Sequence, residues 1–392
     1  MRICGVIAEY NPFHNGHKYL LDEIKKQGFD AIVAVMSGNY VQRGEASVVK
    51  KSVRAKSALL NGVDLVIELP IPFVLSSAQR FAFGAVSILD SLGIVESICF
   101  GSECGNIEHI KKVAETNFDG KLNDYLTDGK TYASALQSYF EDEFGKEYSE
   151  ILSSPNNVLG IEYIKALRKL NSKITPLTVK RIGTGHSQLK AENGFCSAKY
   201  IRDNIDNPKV FDNMPSSSSL LFKQSVSKSE APVRLENNEA VILSSLRMKN
   251  EEYFASLPDL SEGIENRLYS AVRNACSLEE LYSLIKTKRY TMARVKRLVL
   301  NAFLGVTNDY SGFSPTYIRV LGFNETGREI IKNAKLFSSK PIYSLYSDFS
   351  NADDISKKLY SLECSSTDLY NCFTPEIMPC GAEQRENIVI IK

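Results

Sequence analysis

The residues best suited to chemistry in this 392-residue chain lie near its start, in Tyr10-Asn11-Pro12-Phe13-His14-Asn15-Gly16-His17. Two histidines flank a glycine, so the backbone can approach a ligand closely while both imidazoles donate hydrogen bonds to phosphoryl oxygens as charge develops on them. The apolar run Ile3 to Ala8 precedes this segment, and apolar residues at helical spacing, Tyr19, Leu20 and Ile24, follow it. The histidines therefore fall at a strand-to-helix turn, where free N–H groups and the helix dipole favour an anion. An arbitrary His-x-Gly-His is more often a plain turn with a capping residue. Placement shifts that balance here, because two of the chain's four histidines sit at its first such turn.

A second constellation is Gly194-Phe195-Cys196-Ser197-Ala198-Lys199-Tyr200-Ile201-Arg202, in which Ser197 is expected to cap a helix and Arg202 to lie on its early turns. A guanidinium there can clamp a phosphate bidentately. Alone, a Ser cap and an arginine are ordinary surface features. Together with His14 and His17, Arg202 makes a candidate catalytic set that needs no covalent nucleophile.

These residues require a particular scaffold. The runs Ile3 to Ala8 and Ala31 to Met36 are nearly continuously apolar, as for central strands covered on both faces. Further runs at Asp64 to Leu69, Ser97 to Phe100 and Leu177 to Val179 are separated by helix-length segments such as Val53 to Leu60 and Phe81 to Leu92. The alternation predicts an α/β fold, a Rossmann-like doubly wound parallel sheet. Ligands bind such sheets beyond the carboxyl ends of the strands, so Glu9 to His17, Ser37 to Gly44, Pro70 to Arg80 and Gly101 to Glu103 should converge. Past Arg202 the alternation stops. Asn207 to Asn237, rich in Pro, Ser, Asn and Lys, reads as a linker, and the remainder reads as mainly helical. The expected division is 1–206, a catalytic nucleotide-binding domain, and 207–392, a mainly helical domain.

An apolar fraction of 43% and a charged fraction of 24% argue against disorder and fibrous architectures. No apolar run approaches the roughly 20 residues of a membrane span, and Met1-Arg2-Ile3-Cys4 leads straight into strand-like sequence, so a cytoplasmic protein without a membrane partner is expected. Eight cysteines without a Cys-x-x-Cys pair read as reduced thiols. With 47 Lys+Arg against 46 Asp+Glu, a nucleic-acid partner would have to be held by a local patch. The densest basic segment of the C-terminal half holds Lys286, Lys288, Arg289, Arg294, Lys296 and Arg297. Arg294 and Arg297 share one side of a predicted helix whose apolar face is Met292, Val295, Leu298 and Val299. A solvated helix face is the plainer reading of that pattern.

A His-x-Gly-His turn early and a Ser-x-x-x-Ile-Arg element late resemble the nucleotidyltransferase superfamily. More narrowly, Gly5 to His17 resembles the tRNA(Met) cytidine acetate ligase family. So do Met36-Ser37-Gly38-Asn39-Tyr40-Val41-Gln42-Arg43-Gly44-Glu45, Asp64-Leu65-Val66-Ile67-Glu68-Leu69-Pro70, Phe100-Gly101-Ser102-Glu103 and Asn156-Asn157-Val158-Leu159-Gly160-Ile161-Glu162-Tyr163. The likeness is dense in the N-terminal half and loose beyond it.

The resemblance implies that acetate and ATP give acetyladenylate and pyrophosphate, and that the acetyl group then passes to N4 of the wobble cytidine of elongator tRNA(Met). It implies ATP contacts from Ile7-Ala8-Glu9-Tyr10-Asn11-Pro12-Phe13-His14-Asn15-Gly16-His17-Lys18-Tyr19-Leu20, Gly101, one of Asn156 and Asn157, Arg181 and Ser197. Mg²⁺ is expected on the β- and γ-phosphates, with ligands the sequence does not fix. It also favours a tRNA-binding surface at Lys288, Arg289, Arg294 and Arg297. No obligate protein partner is evident. Lys50 stands where the family pattern has an acidic residue, Gln79 where it has glutamate, and His186 falls near an expected Tyr-His pair. A small-molecule adenylyltransferase would share the histidines but not need the long C-terminal half. A non-catalytic RNA-binding protein with a retained nucleotide pocket is the other alternative.

Overall fold

The computed structural model describes the chain except for residues 118–119, 123, 126–131, 183–193 and 262. Ten strands are formed among the described residues: β1 (Ile3–Ala8), β2 (Ala31–Ser37), β3 (Tyr40–Val41), β4 (Glu45–Ala46), β5 (Leu65–Leu69), β6 (Ser97–Ser102), β7 (Thr175–Lys180), β8 (Ile318–Phe323), β9 (Ile342–Tyr343) and β10 (Val389–Ile390). Every residue of β2 is buried, and its side chains alternate between two cores. Ala31, Val33 and Val35 pack with Phe81 and Val86 of the helix Ala78–Ser91 and with Ile161 and Ile164 of the helix Pro155–Lys169. Ile32, Ala34 and Met36 pack with Leu21 and Ile24 of the helix Asn15–Lys26 and with Ala55 and Leu59 of the helix Lys51–Leu60. A strand covered on both faces has no polar side to show, which is why the run is apolar throughout.

The main sheet runs in the order β10-β8-β5-β2-β1-β6-β7, with β9 on β8. From β1 the chain builds outward through β2 and β5, then crosses back to lay β6 and β7 on the other side of β1, all parallel. The direction of winding therefore reverses between β1 and β6, and their diverging carboxyl ends leave a crevice.

The C-terminal half is mainly helical, but it also completes this sheet. β8 pairs antiparallel with β5 and carries β9 and β10 parallel to it. This was not apparent from the sequence, because β8 is one short apolar run amid helical segments. A buried charge network crosses the same boundary: Lys51 pairs with Glu68 and Glu383, and Arg319 pairs with the same two carboxylates.

The segment expected to be a linker is ordered. Ser216–Ser227 is a helix packed on Lys51–Leu60, where Asn61 Nδ2 donates to Ser217 Oγ at 2.9 Å and Ser218 Oγ at 3.1 Å, and Ser218 bonds Ser57. The serines that read as part of a linker by composition form a small-residue face pressed against a neighbouring helix.

Candidate active site

The turn after β1 is held from below by Arg54, which is only 1% exposed and donates to the carbonyls of Val49, Glu9, Ser37 and Gly38. One guanidinium thus ties the carboxyl ends of β1 and β2 together. Asn11 Oδ1 accepts from the Val48 N–H at 2.8 Å, fixing the same turn from the side.

His14 is the N-cap of Asn15–Lys26, and its Nδ1 accepts from the Gly16 N–H at 3.0 Å. His17 returns the arrangement: its Nδ1 accepts from the His14 N–H at 3.1 Å. The two histidines therefore form a capping box, with imidazoles standing in for the usual hydroxyl and carboxyl groups. Because each Nδ1 is an acceptor, each neutral ring carries its proton on Nε2 and can donate from there. A Cβ on residue 16 would lie 2.8 Å from His14 Cε1, so only glycine lets that ring take this position. Burial, then the charges of Arg181 and Arg202, push His14 down to about 3. Burial, then His14 and Arg181, hold His17 well below the usual histidine range. Both rings are neutral donors at physiological pH.

Three arginines face this pair. Arg202, on the helix Ala198–Asp203, donates to the Asn11 carbonyl at 3.0 Å and lies 3.4 Å from Glu45. Ser197 caps that helix by accepting from the Tyr200 N–H. Arg181 follows β7, and its buried Nε has no hydrogen-bond partner. Arg43 sits in the turn between β3 and β4. All three line a cavity of about 220 Å³ at the carboxyl ends of β1, β6 and β7, together with both histidines, Gly101 and Asn156. Gly160 lets the Phe100 ring reach this wall, since a Cβ there would meet it at 2.3 Å. Neutral N–H donors among guanidinium groups in a half-closed crevice make a receptor for a polyphosphate.

Of the residues expected at the nucleotide, Ile7, Ala8, Glu9, Tyr10, Asn11, His14, Gly16, His17, Tyr19, Leu20, Gly101, Asn156, Arg181 and Arg202 line the cavity. Pro12, Phe13, Asn15, Lys18, Asn157 and Ser197 do not. Phe13 is buried against Tyr10 and His17 as support, and Lys18 pairs with Asp22. Asn15 Nδ2 donates to the carbonyl of Gly194 at 2.8 Å, joining the two motifs. Asn157 Oδ1 accepts from the N–H groups of Glu103 and Cys104, leaving Asn156 to face the cavity.

From Pro70 to Arg80 no residue reaches the cavity, whereas Phe81 does. Tyr163, Phe195 and Cys196 also line it without having been singled out; their only signal was membership of a motif block. Lys50 lies outside it, paired with Glu230 at 3.2 Å, and Gln79 is exposed on a separate groove, so neither departure touches the nucleotide cavity. His186 lies outside the described residues.

The basic segment lies only partly on the surface. Arg297 is 9% exposed and donates to the Gln42 carbonyl at 3.3 Å, and Arg294 donates to the Asp259 carbonyl and Ser261 while stacking on Tyr290. Their helix, Met292–Leu304, packs on the β3–β4 turn, where Gly44, with φ of +77°, admits its backbone. Arg297 is thus committed inside the protein, whereas Arg294 is partly exposed. Lys288 and Arg289 are exposed.

The HIGH Nucleotidyl Transferase family model matches residues 1–385. Over its whole length the chain is 40% identical to the full length of the tRNA(Met) cytidine acetate ligase of Acetivibrio thermocellus. Its fold matches the apo crystal structure of Thermotoga maritima TmcAL with a TM-score of 0.93 at 33% identity, covering 100% of both chains. It matches the form of that protein bound with alpha-thio ATP at 0.91 and 33%, covering 100% of this chain and 99% of the other.

Proposed function

The chain belongs to the HIGH nucleotidyl transferase family and, within it, to the tRNA(Met) cytidine acetate ligases, and from that membership we propose that it uses ATP to acetylate a cytidine of tRNA(Met). The observation that carries the reading is the reciprocal His14–His17 cap, which aims two neutral Nε2 donors into a cavity ringed by Arg43, Arg181 and Arg202. The solved relative bound with alpha-thio ATP supports ATP as the nucleotide.

In this proposal an acetate oxygen attacks the α-phosphorus, a P–O bond to the β-phosphate breaks, and pyrophosphate departs with the electron pair. His14, His17 and Arg202 act by stabilising the charge that gathers on the phosphoryl oxygens, and Arg181 by holding the nucleotide; none forms a covalent bond. Mg²⁺ carried with ATP would supply further neutralisation of the phosphate charge beside these side chains. The apolar part of the wall, Phe81, Phe100 and Leu159, limits water around the reactive anhydride.

Acetyl transfer to N4 of the wobble cytidine of elongator tRNA(Met) then follows, in the cytoplasm. Lys288 and Arg289 are proposed as tRNA phosphate contacts. No helix among the described residues is long and apolar enough to cross a membrane. The test is pyrophosphate release from ATP by purified protein. Release that requires acetate supports the proposal; release indifferent to acetate contradicts it.

A further inference from the structure

Arg202 is held by more than the turn it serves. Its Nη1 donates to the Asn11 carbonyl at 3.0 Å, and its Nη2 lies 3.4 Å from Oε2 of Glu45. Glu45 begins β4 and pairs with Val41 of β3 across the hairpin. It does not line the cavity, whereas Arg202 and the hairpin residues Gln42 and Arg43 do. The carboxylate therefore stands behind the guanidinium, where it orients Arg202 without meeting the nucleotide itself.

The other oxygen of Glu45 is taken by the C-terminal half. Lys296, on the helix Met292–Leu304, places Nζ 2.9 Å from Oε1. This helix meets the hairpin at backbone distance: a Cβ on Gly44 would lie 2.6 Å from the Arg297 nitrogen and 2.7 Å from Lys296 Cβ. Glu45 sits in that seam, mostly buried. Burial acts to raise its carboxyl, but Lys296, Arg202 and Arg43 outweigh burial and hold the group below the usual carboxylate range.

Charge decides what this arrangement does. A lone carboxylate beside Arg202 would cancel much of the positive charge that a phosphoryl oxygen should feel. With Lys296 on the second oxygen, two cations share one anion, so the cluster stays positive while Arg202 keeps a fixed direction. Fixing a long side chain in advance removes an ordering cost that would otherwise fall on the transition state.

From this geometry, and resting on the adenylation reading and on the part of Arg202 in it, we infer that Glu45 is a positioning residue that aims Arg202 at the reacting phosphate, with Lys296 neutralising the carboxylate. The C-terminal half thereby contributes to the first chemical step.

The test is a double-mutant cycle in the full-length protein, read as kcat and KM for ATP in acetate-dependent exchange of labelled pyrophosphate. Glu45→Gln should lower kcat about tenfold while KM moves less than about threefold. In an Arg202→Ala background, itself much slower, the same change should lower kcat less than about twofold. Lys296→Met leaves the carboxylate unneutralised beside Arg202 and should lower kcat in the same background-dependent way, whereas Lys296→Arg should keep most of the rate. If Glu45→Gln does not fold, the Lys296 variants decide alone. Equal losses in both backgrounds would mean that Glu45 and Lys296 only join the hairpin to the helix, and would overturn the inference; so would an unchanged or faster Glu45→Gln enzyme. If Arg202→Ala matches the parent, Arg202 has no part in the chemistry and the inference falls. Wild-type protein without acetate-dependent exchange would instead remove the adenylation reading, and the inference with it.

Discussion

The backbone N–H of His14 donates to Nδ1 of His17 at 3.1 Å, and the two rings stack with centroids 3.8 Å apart. Each histidine thereby sets the other's orientation and tautomer. The same two rings start the helix through Nδ1 and carry the reactive donors on Nε2, so the cap cannot relax without moving the site.

Replacing either histidine separates chemistry from folding. His14→Ala or His17→Ala should lower acetate-dependent pyrophosphate formation about 10²–10³-fold while costing folding about 1–2 kcal/mol, the scale of a lost cap. Urea unfolding midpoints measured beside initial rates check this. An activity loss that simply follows the fraction unfolded would contradict it.

Gly16→Ala makes a sharper test. Within a helix alanine is favoured over glycine by about 1 kcal/mol, yet the new Cβ would sit 2.8 Å from His14 Cε1 and 3.0 Å from Nδ1. With the alanine gain offset by the disturbed cap, the variant should change in stability by no more than about 1 kcal/mol but lose roughly tenfold or more in adenylation, read from thermal denaturation and pyrophosphate exchange together.

Acidification should weaken the fold through His14. Its folded pKa, about 3, lies below the ordinary value of 6.5, so between those values the unfolded chain binds the extra proton. Stability is fully present above about 6.5 and is lost as pH falls towards 3, with the same sign for His17. His14→Gln should flatten that part of the profile. A variant curve parallel to the parent's would contradict the assignment of a neutral buried imidazole.

On the tRNA side, Lys288→Glu with Arg289→Glu should weaken tRNA binding and reduce the log–log salt slope by about 1–2. Arg297→Ala should act differently, because its guanidinium holds the Gln42 carbonyl: transfer should fall with little change in the salt slope. Filter binding across a salt series separates the two. A reduced slope in Arg297→Ala would return that residue to the RNA surface.

Much of the site was legible because its signals are local. Strand, turn and histidine pair lie within consecutive residues, and the capping role of Ser197 follows from spacing alone, although the helix it starts is so short that Arg202 lies in its last turn. What escaped depends on contacts between distant segments. Arg54 reads as an ordinary helix residue, and nothing nearby in sequence reveals that it collects carbonyls from three separate loops. Arg294 and Arg297 fit a basic helix face by spacing, but which face is buried was decided by the β3–β4 hairpin some 250 residues earlier in the chain, as the Arg297–Gln42 separation of 255 shows. β8 was hidden for the same reason: a short strand declares itself only beside its partner, and β5 is far away in sequence.

The most direct test of the central claim is mass analysis of nucleosides and of nuclease fragments from tRNA(Met) incubated with the protein and ATP, with and without acetate. N4-acetylcytidine that appears only when protein, ATP and acetate are all present, at the wobble position, is the predicted result. Acetate-dependent pyrophosphate release with unmodified tRNA, or no release while ATP still binds, would contradict the assignment.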